Sequence, residues 1–254
     1  MPRVEHPGTR ISRPRAKTIT IACLAALGVG IPAAAGSSPP HYPQHTNVTA
    51  TVFWIGEPVG DGSTENNAIS AWDDRWLAHY GGVDDYRTVR KPPYFPHFRP
   101  KENPFYLDLP YNDFDDNGNA RPDRTQVIPW AKSYAGELAR SRSTDTPFSL
   151  MKNRWVKLWR TVGGKKYTCY GQIEDSGPYV YDDAAYVFGT RDPRPSSQLA
   201  QNAGMDVSPA IRDCLRFSGV NNDENRVSWQ FVEASQVPRG PWRIVVTTRQ
   251  VYWP

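Results

Sequence analysis

Six short runs of β-branched and aromatic residues are spread along this chain, and only one segment has the features of a good helix. The runs are residues 47–55, 105–109, 154–160, 166–174, 228–233 and 242–248. Residues of these types favour strands. The helix is predicted at residues 209–217, with Asp206 and Ser208 as candidate caps and Pro209 in its first turn. This pattern predicts a mainly β fold, a small closed barrel with inserted loops.

The segments between these runs are long and irregular in composition. Residues 91–104 are rich in proline, which excludes regular interior structure, so we expect them to wrap the surface. The spacing of Trp72, Trp76 and Leu77 predicts a short helix within residues 66–80. We predict a single domain over residues 47–254, with insertions at 57–104 and 179–204.

Residues 1–35 have the three parts of a cleavable signal peptide. Basic residues precede an apolar run at 19–31, and small residues follow it at 33–35. The run is shorter than the about 20 residues that span a bilayer, although a retained single-pass anchor is the alternative. We therefore predict cleavage after Ala35, secretion to the extracellular space or the periplasm, and no membrane association afterwards. Residues 36–46 are predicted to be a proline-rich linker.

The charge balance depends on this signal peptide. The whole chain has 30 Lys and Arg against 26 Asp and Glu. The predicted signal peptide holds five of the basic residues and one acidic residue, which leaves 25 of each. Nucleic-acid binding usually requires a basic surface, so we expect no nucleic-acid partner.

Two cysteines remain after the predicted cleavage, Cys169 and Cys214. An even pair in an oxidising compartment predicts a disulfide. Two buried free thiols are the alternative.

Two aspartates lie where a strand passes into a turn. Asp175 ends the run Ile-Glu-Asp-Ser-Gly-Pro, and Asp206 stands in Gly-Met-Asp-Val-Ser-Pro just before the predicted helix. Taken singly, each side chain can cap local backbone N–H groups without any catalytic role.

Taken together, the two motifs resemble the core of double-psi β-barrels that act on wall polysaccharides. These include the rare lipoprotein A-like proteins, the three-aspartate domains of membrane-bound lytic transglycosylases, and the expansins. Residues 128–130 with 153–158 look like the strand pair before the first aspartate, and residues 47–53 look like strand one. The resemblance covers residues 47–56 and 105–250. It implies a six-stranded double-psi β-barrel with long loop insertions and one or two short helices.

The resemblance also implies a chemistry and a partner, a cell-wall polysaccharide such as peptidoglycan or a plant or fungal glycan. In the lytic transglycosylase version, one carboxylic acid protonates the glycosidic oxygen and the sugar's own hydroxyl closes a 1,6-anhydro ring. Asp206 matches that acid and Asp175 its neighbour, and two close carboxyls raise one pKa. Glycosidase-like hydrolysis needs a second carboxylate as well. Its candidates are Asp73, Asp74, Asp108 and Asp113.

The chain departs from the rare lipoprotein A-like pattern in three places. Residues 146–150 lack the usual histidine, Ser176 replaces an arginine, and the loop at 179–204 is long. These departures keep a second function open beside the enzyme: a non-catalytic, expansin-like module that binds or loosens glycan.

Aromatic residues are numerous, with nine tryptophans and 13 tyrosines. Aromatic faces stack on sugar rings, so those in loops or near the two aspartates are predicted to bind substrate. They are Trp72, Trp76, Tyr111, Trp130 and Tyr179. Packing in the core is the alternative for each, and the core is our assignment for Trp155, Trp159 and Trp229.

Asp113, Asp115 and Asn117 fit the front half of a calcium-binding loop, D-x-D-x-N-G. The twelfth position is Arg124, where a bidentate Glu is wanted, so an ordinary Asx-rich turn is favoured over a weak Ca²⁺ site. The sequence has no phosphate-binding loop, zinc-binding spacing or nucleophile elbow, and we expect no cofactor.

Overall fold

Six strands form a closed barrel in the computed structural model, which describes residues 40–59, 66–220 and 224–253. The strands are β1 (Gln44–Val52), β2 (Tyr106–Leu109), β3 (Trp155–Val162), β4 (Lys165–Ser176), β5 (Ala203–Val207) and β6 (Arg226–Val232). Their order around the barrel is β1-β5-β2-β4-β3-β6, and β6 pairs with β1. The predicted mainly β class is therefore confirmed. The predicted signal peptide lies outside the described residues.

The barrel mixes parallel and antiparallel pairs. β1 pairs with β5 and β2 with β4 in parallel, whereas the remaining pairs are antiparallel. The β3–β4 hairpin turns at Gly163 and Gly164, which both have positive φ, as a tight two-residue turn requires. The parallel pairs need long crossovers, which accounts for the large insertions between strands.

Alternate residues of each strand build the core inside the barrel. On β1, Val48, Ala50 and Val52 belong to the main apolar cluster, and Met205 and Val207 of β5 join them. The intervening residues of both strands therefore face outward, because successive side chains of a strand point to opposite faces. Asp206 is one of these outward residues.

Five α-helices and three 3₁₀ segments occur in the described part of the chain. The helices are α1 (Trp76–Tyr80), α2 (Arg124–Val127), α3 (Ala135–Thr144), α4 (Ala184–Val187) and α5 (Pro209–Leu215); the 3₁₀ segments are Ala131–Tyr134, Ala234–Gln236 and Pro241–Arg243. The predicted helix at 209–217 is confirmed as α5, where the Ser208 hydroxyl accepts the N–H of Ile211. α3 was not predicted from the sequence, and only Leu138 in it is buried.

α5 packs closely against β4. A disulfide between Cys169 and Cys214 joins them, so that prediction is confirmed. Gly171 of β4 allows the approach, because a Cβ there would lie 2.7 Å from the carbonyl oxygen of Phe105 and 2.8 Å from Ile211.

Two predicted boundaries and two predicted strand assignments differ from the structure. β1 begins at Gln44, so the end of the predicted linker is a strand. β5 lies partly in the predicted loop 179–204, and its five residues alone are too short to show a clear alternation. Residues 242–248 are not a strand, since a 3₁₀ turn begins there and the Thr247 N–H donates to the Gln172 side chain. Residues 128–130 lie between α2 and a 3₁₀ segment rather than in a strand.

Irregular segments cover the barrel, as predicted for residues 91–104. Asn103 in this segment donates from its side chain to Gln172 Oε1 at 2.8 Å. Residues 244–253, here called the C-terminal strap, also pack on the domain, and Tyr252 pairs with Asp73 in an isolated bridge. None of the helices described is long and apolar enough to cross a membrane.

Candidate active site

Three aspartates from adjacent strands meet on the barrel. β2 lies between β4 and β5, and Asp108 of β2 is in register with Asp175 of β4. On the other side, the backbone N–H of Asp206 donates to Asp108 Oδ1 at 2.6 Å. Asp108 was one of four open partner candidates in the sequence, and the structure places it between the two predicted catalytic residues.

The glycine of the Asp-Ser-Gly-Pro motif makes room for Asp108. A Cβ at Gly177 would lie 2.9 Å from Asp108 Oδ2, and the residue has a φ of +149°. A side chain at this position would therefore push on the buried Asp108 carboxylate. The motif therefore provides both the Asp175 carboxyl and the space that the Asp108 carboxylate occupies.

Asp175 is oriented by two backbone donors. Its Oδ1 accepts the N–H of Ala71 and that of Ser176, each at 2.8 Å. Asp175 is partly exposed as a residue, whereas Asp108 is buried. The contact with Ala71 ties Asp175 to the loop that precedes α1.

Asp206 is in register with Thr51 of β1 and is partly exposed as a residue. Its Oδ1 is nevertheless buried and has no hydrogen-bond partner among the described residues. Burial raises the pKa of Asp206 to about 8, and the negative charges of Glu57 and Asp175 add to the effect. The raised pKa keeps this carboxyl largely protonated at pH 7.

Glu57 is a fourth acidic residue here and was not among the predicted site residues. It follows β1 in a turn, and its Oε2 accepts a hydrogen bond from the Asn67 side chain at 3.1 Å. Burial raises the pKa of Glu57 to about 7. No sequence motif surrounds it, so no local signal pointed to it.

Tyr179 is the one predicted substrate-binding aromatic residue that is exposed, with 42% of its surface accessible. It follows the Asp-Ser-Gly-Pro motif and adopts a left-handed conformation with a φ of +59°. Burial raises the pKa of its hydroxyl, and repulsion from Asp206, Asp108 and Glu57 raises it further. Tyr179 therefore lies within electrostatic range of the acidic groups.

The other four predicted aromatic residues are buried, at most 3% exposed: Trp72, Trp76, Tyr111 and Trp130. Trp72 donates from its indole to Asn112 and Trp130 to the carbonyl of Leu150. Their ring faces pack against the protein, so in this structure they are core residues and not a sugar-binding surface.

Two further tryptophans are partly exposed. Trp54, just after β1, is partly exposed and packs on Tyr86 with ring centres 4.0 Å apart. The backbone N–H of Glu57 donates to the Trp54 carbonyl, so Trp54 and Glu57 belong to the same turn after β1. Trp159 is also partly exposed, whereas Trp155 and Trp229 are buried as assigned.

The candidate calcium loop uses its oxygens within the protein. Buried Asp113 accepts hydrogen bonds from Arg124, Ser149 and the backbone of Leu150. Asp115 Oδ1 accepts the N–H groups of Asn117 and Asn119, which is the Asx turn that the sequence favoured.

Asp73 and Asp74, the remaining partner candidates, lie on the loop before α1; Asp73 is bound to His79 and Asp74 is exposed. A cavity of about 270 Å³ has a lining that includes Lys152, Arg154 and Glu233 but none of the aspartates above.

Comparison of the chain with protein-family models, with curated proteins and with solved structures finds no match.

Proposed function

We propose that this chain is a secreted glycan-cleaving enzyme, lytic-transglycosylase-like or glycosidase-like, built on a double-psi β-barrel. The observation that carries the proposal is the Asp206 carboxyl, which has a buried oxygen without a hydrogen-bond partner among the described residues and lies among other acidic groups. A carboxylic acid that keeps its proton near neutral pH is what protonation of a glycosidic oxygen requires. The substrate is a cell-wall polysaccharide.

In the proposed reaction, Asp206 gives its proton to the glycosidic oxygen as the bond from that oxygen to the anomeric carbon breaks. The positive charge that develops on the sugar is stabilised by the Asp175 carboxylate. The Asp206 carboxylate then takes the proton of the attacking hydroxyl. If the attacker is a hydroxyl of the same sugar, the product is a 1,6-anhydro ring.

Hydrolysis is the other course of the same reaction, with water as the attacker. Glu57 is the residue whose pKa of about 7 suits it to accept the water's proton. Asp108 does not transfer a proton in either course. It accepts the backbone N–H of Asp206 and acts as a positioning residue.

Product analysis by mass spectrometry tests the proposal. Purified protein is incubated with peptidoglycan and, separately, with cellulose, beside Asp206→Asn and the control Asp116→Asn. Asp116 is an exposed residue of the Asx-turn loop. We expect anhydro or shortened sugars from one polymer, a loss of about 10²-fold or more in Asp206→Asn, and no loss in the control.

Two other outcomes would reject the enzyme. Equal product from Asp206→Asn would remove Asp206 as the acid. No product from either polymer, with binding in pull-down assays that survives Asp206→Asn, would indicate the expansin-like binding module instead.

A further inference from the structure

A second polar cluster is formed by the loop before α1, by α1 itself and by the proline-rich segment. The proposed reaction does not use it. Asp73, His79 and Glu102 each offer one donor atom, and these atoms all lie within 4.8 Å of one another. His79 Nδ1 is 2.9 Å and 2.7 Å from the two Asp73 oxygens. Within the described ranges, no other three His, Cys, Asp or Glu side chains come this close.

Glu102 gives an independent reason to place a ligand here. Its side chain is only 7% exposed, and its Oε2 is buried with no hydrogen-bond partner in the described part of the chain. The other oxygen has a long contact of 3.4 Å to Arg249 Nε. A buried carboxylate oxygen left without a partner costs free energy, and a bound ion at that oxygen would remove the cost.

We propose that Asp73, His79 and Glu102 bind a divalent transition-metal ion, with Zn²⁺ as the ion that fits best. One imidazole nitrogen and two carboxylates are ligands that Zn²⁺ accepts in a tetrahedral site. Bonds of about 2.0–2.2 Å place neighbouring ligand atoms about 3.3 Å apart. Asp73 and His79 are closer than this, at hydrogen-bond distance, so binding replaces their hydrogen bond and moves the two side chains slightly apart. A similarly small movement brings Glu102 to the same separation.

Nearby cations limit the affinity. The buried Lys152 ammonium is 3.7 Å from Glu174 and also attracts Glu102, and the exposed Arg249 lies beside Glu102. These positive charges oppose an incoming cation. We therefore expect a dissociation constant in the micromolar range rather than the nanomolar range.

The metal would connect α1 and the loop before it to the proline-rich segment. Asp73 precedes α1, His79 lies in α1, and Glu102 belongs to the proline-rich segment. The C-terminal strap reaches the same place, because Tyr252 pairs with Asp73 and its ring contacts that of His79. The role inferred for this ion is to hold these segments together on the barrel.

Metal binding by the purified protein tests the proposal. After treatment with a chelator and its removal, Zn²⁺ is titrated in by calorimetry and the metal content is measured by mass spectrometry. Co²⁺ is added separately, because tetrahedral coordination gives it strong visible absorption. We expect one Zn²⁺ per chain, a higher melting temperature with Zn²⁺, and a Co²⁺ spectrum that Zn²⁺ abolishes.

Variants assign the ligands. His79→Asn and Glu102→Gln are each expected to weaken Zn²⁺ at least about tenfold, whereas His97→Asn, at an exposed histidine, leaves it unchanged. Glu102→Gln keeps the shape of the side chain, so it tests the site even if His79→Asn fails to fold. Substoichiometric Zn²⁺, or equal affinity in Glu102→Gln, would overturn the proposal and leave a hydrogen-bonded Asp–His pair.

Discussion

At the scale of single residues, the Asp206 carboxyl holds its proton more tightly in the folded chain than in an unfolded one. Its pKa rises from 3.8 to about 8, mainly through burial. Below about pH 4 both states are protonated, and the stability contribution is fully present. As the pH rises, the unfolded state ionises first, so the free energy of unfolding falls until the pH passes about 8.

Asp206→Asn is expected to remove this dependence, because an amide does not ionise. The melting temperature of the variant relative to the unchanged protein should therefore increase between pH 4 and pH 8. Thermal unfolding followed by circular dichroism across this range measures the difference, with Asp116→Asn as the control. A difference that stays constant with pH would show that Asp206 ionises normally in the folded state.

At the scale of elements, the contact of α5 with β4 depends on the absence of a side chain at Gly171. Gly171→Ala would place a Cβ 2.7 Å from the backbone oxygen of Phe105. We expect a loss of about 1–3 kcal/mol in the free energy of unfolding, measured by urea denaturation.

Gly136 provides the matched control, because it lies in α3 and a Cβ there meets nothing within 4 Å. Gly136→Ala should be neutral or stabilising by up to about 1 kcal/mol, since alanine favours a helix over glycine. Equal effects of the two substitutions would mean that the close approach at Gly171 does not matter for stability.

Sequence patterns predicted five strands and α5 well, because β-branched runs and a capped helix start are local signals. They failed for β5, whose five residues form a strand only through pairing with β1 and β2. The predicted acids Asp175 and Asp206 carried a local motif. Glu57 carried none, and its place in the site depends on burial that no local pattern encodes. Four aromatic residues that are buried were predicted to bind substrate, again because no local pattern encodes burial.

At the scale of the whole molecule, the Cys169–Cys214 disulfide closes a separation of 45 residues. In the loop-entropy model, a bond of this span stabilises the folded state by about 3–4 kcal/mol. The double variant Cys169→Ala with Cys214→Ala should lose about that amount in urea denaturation. Reductant should destabilise the unchanged protein and leave the variant unaffected. A protein that unfolds at the same urea concentration with and without reductant would contradict the prediction.

The strand order has a consequence for how the barrel is made. β1 comes first in the chain, yet its partners in the described sheet are β5 and β6, the last two strands. When the chain emerges from a ribosome or a translocation channel in N-to-C order, β1 therefore appears long before either of its partners. The barrel cannot close until residues beyond 226 have appeared, and such late long-range pairing is slow. Until β5 and β6 are available, both edges of β1 lack their native partners.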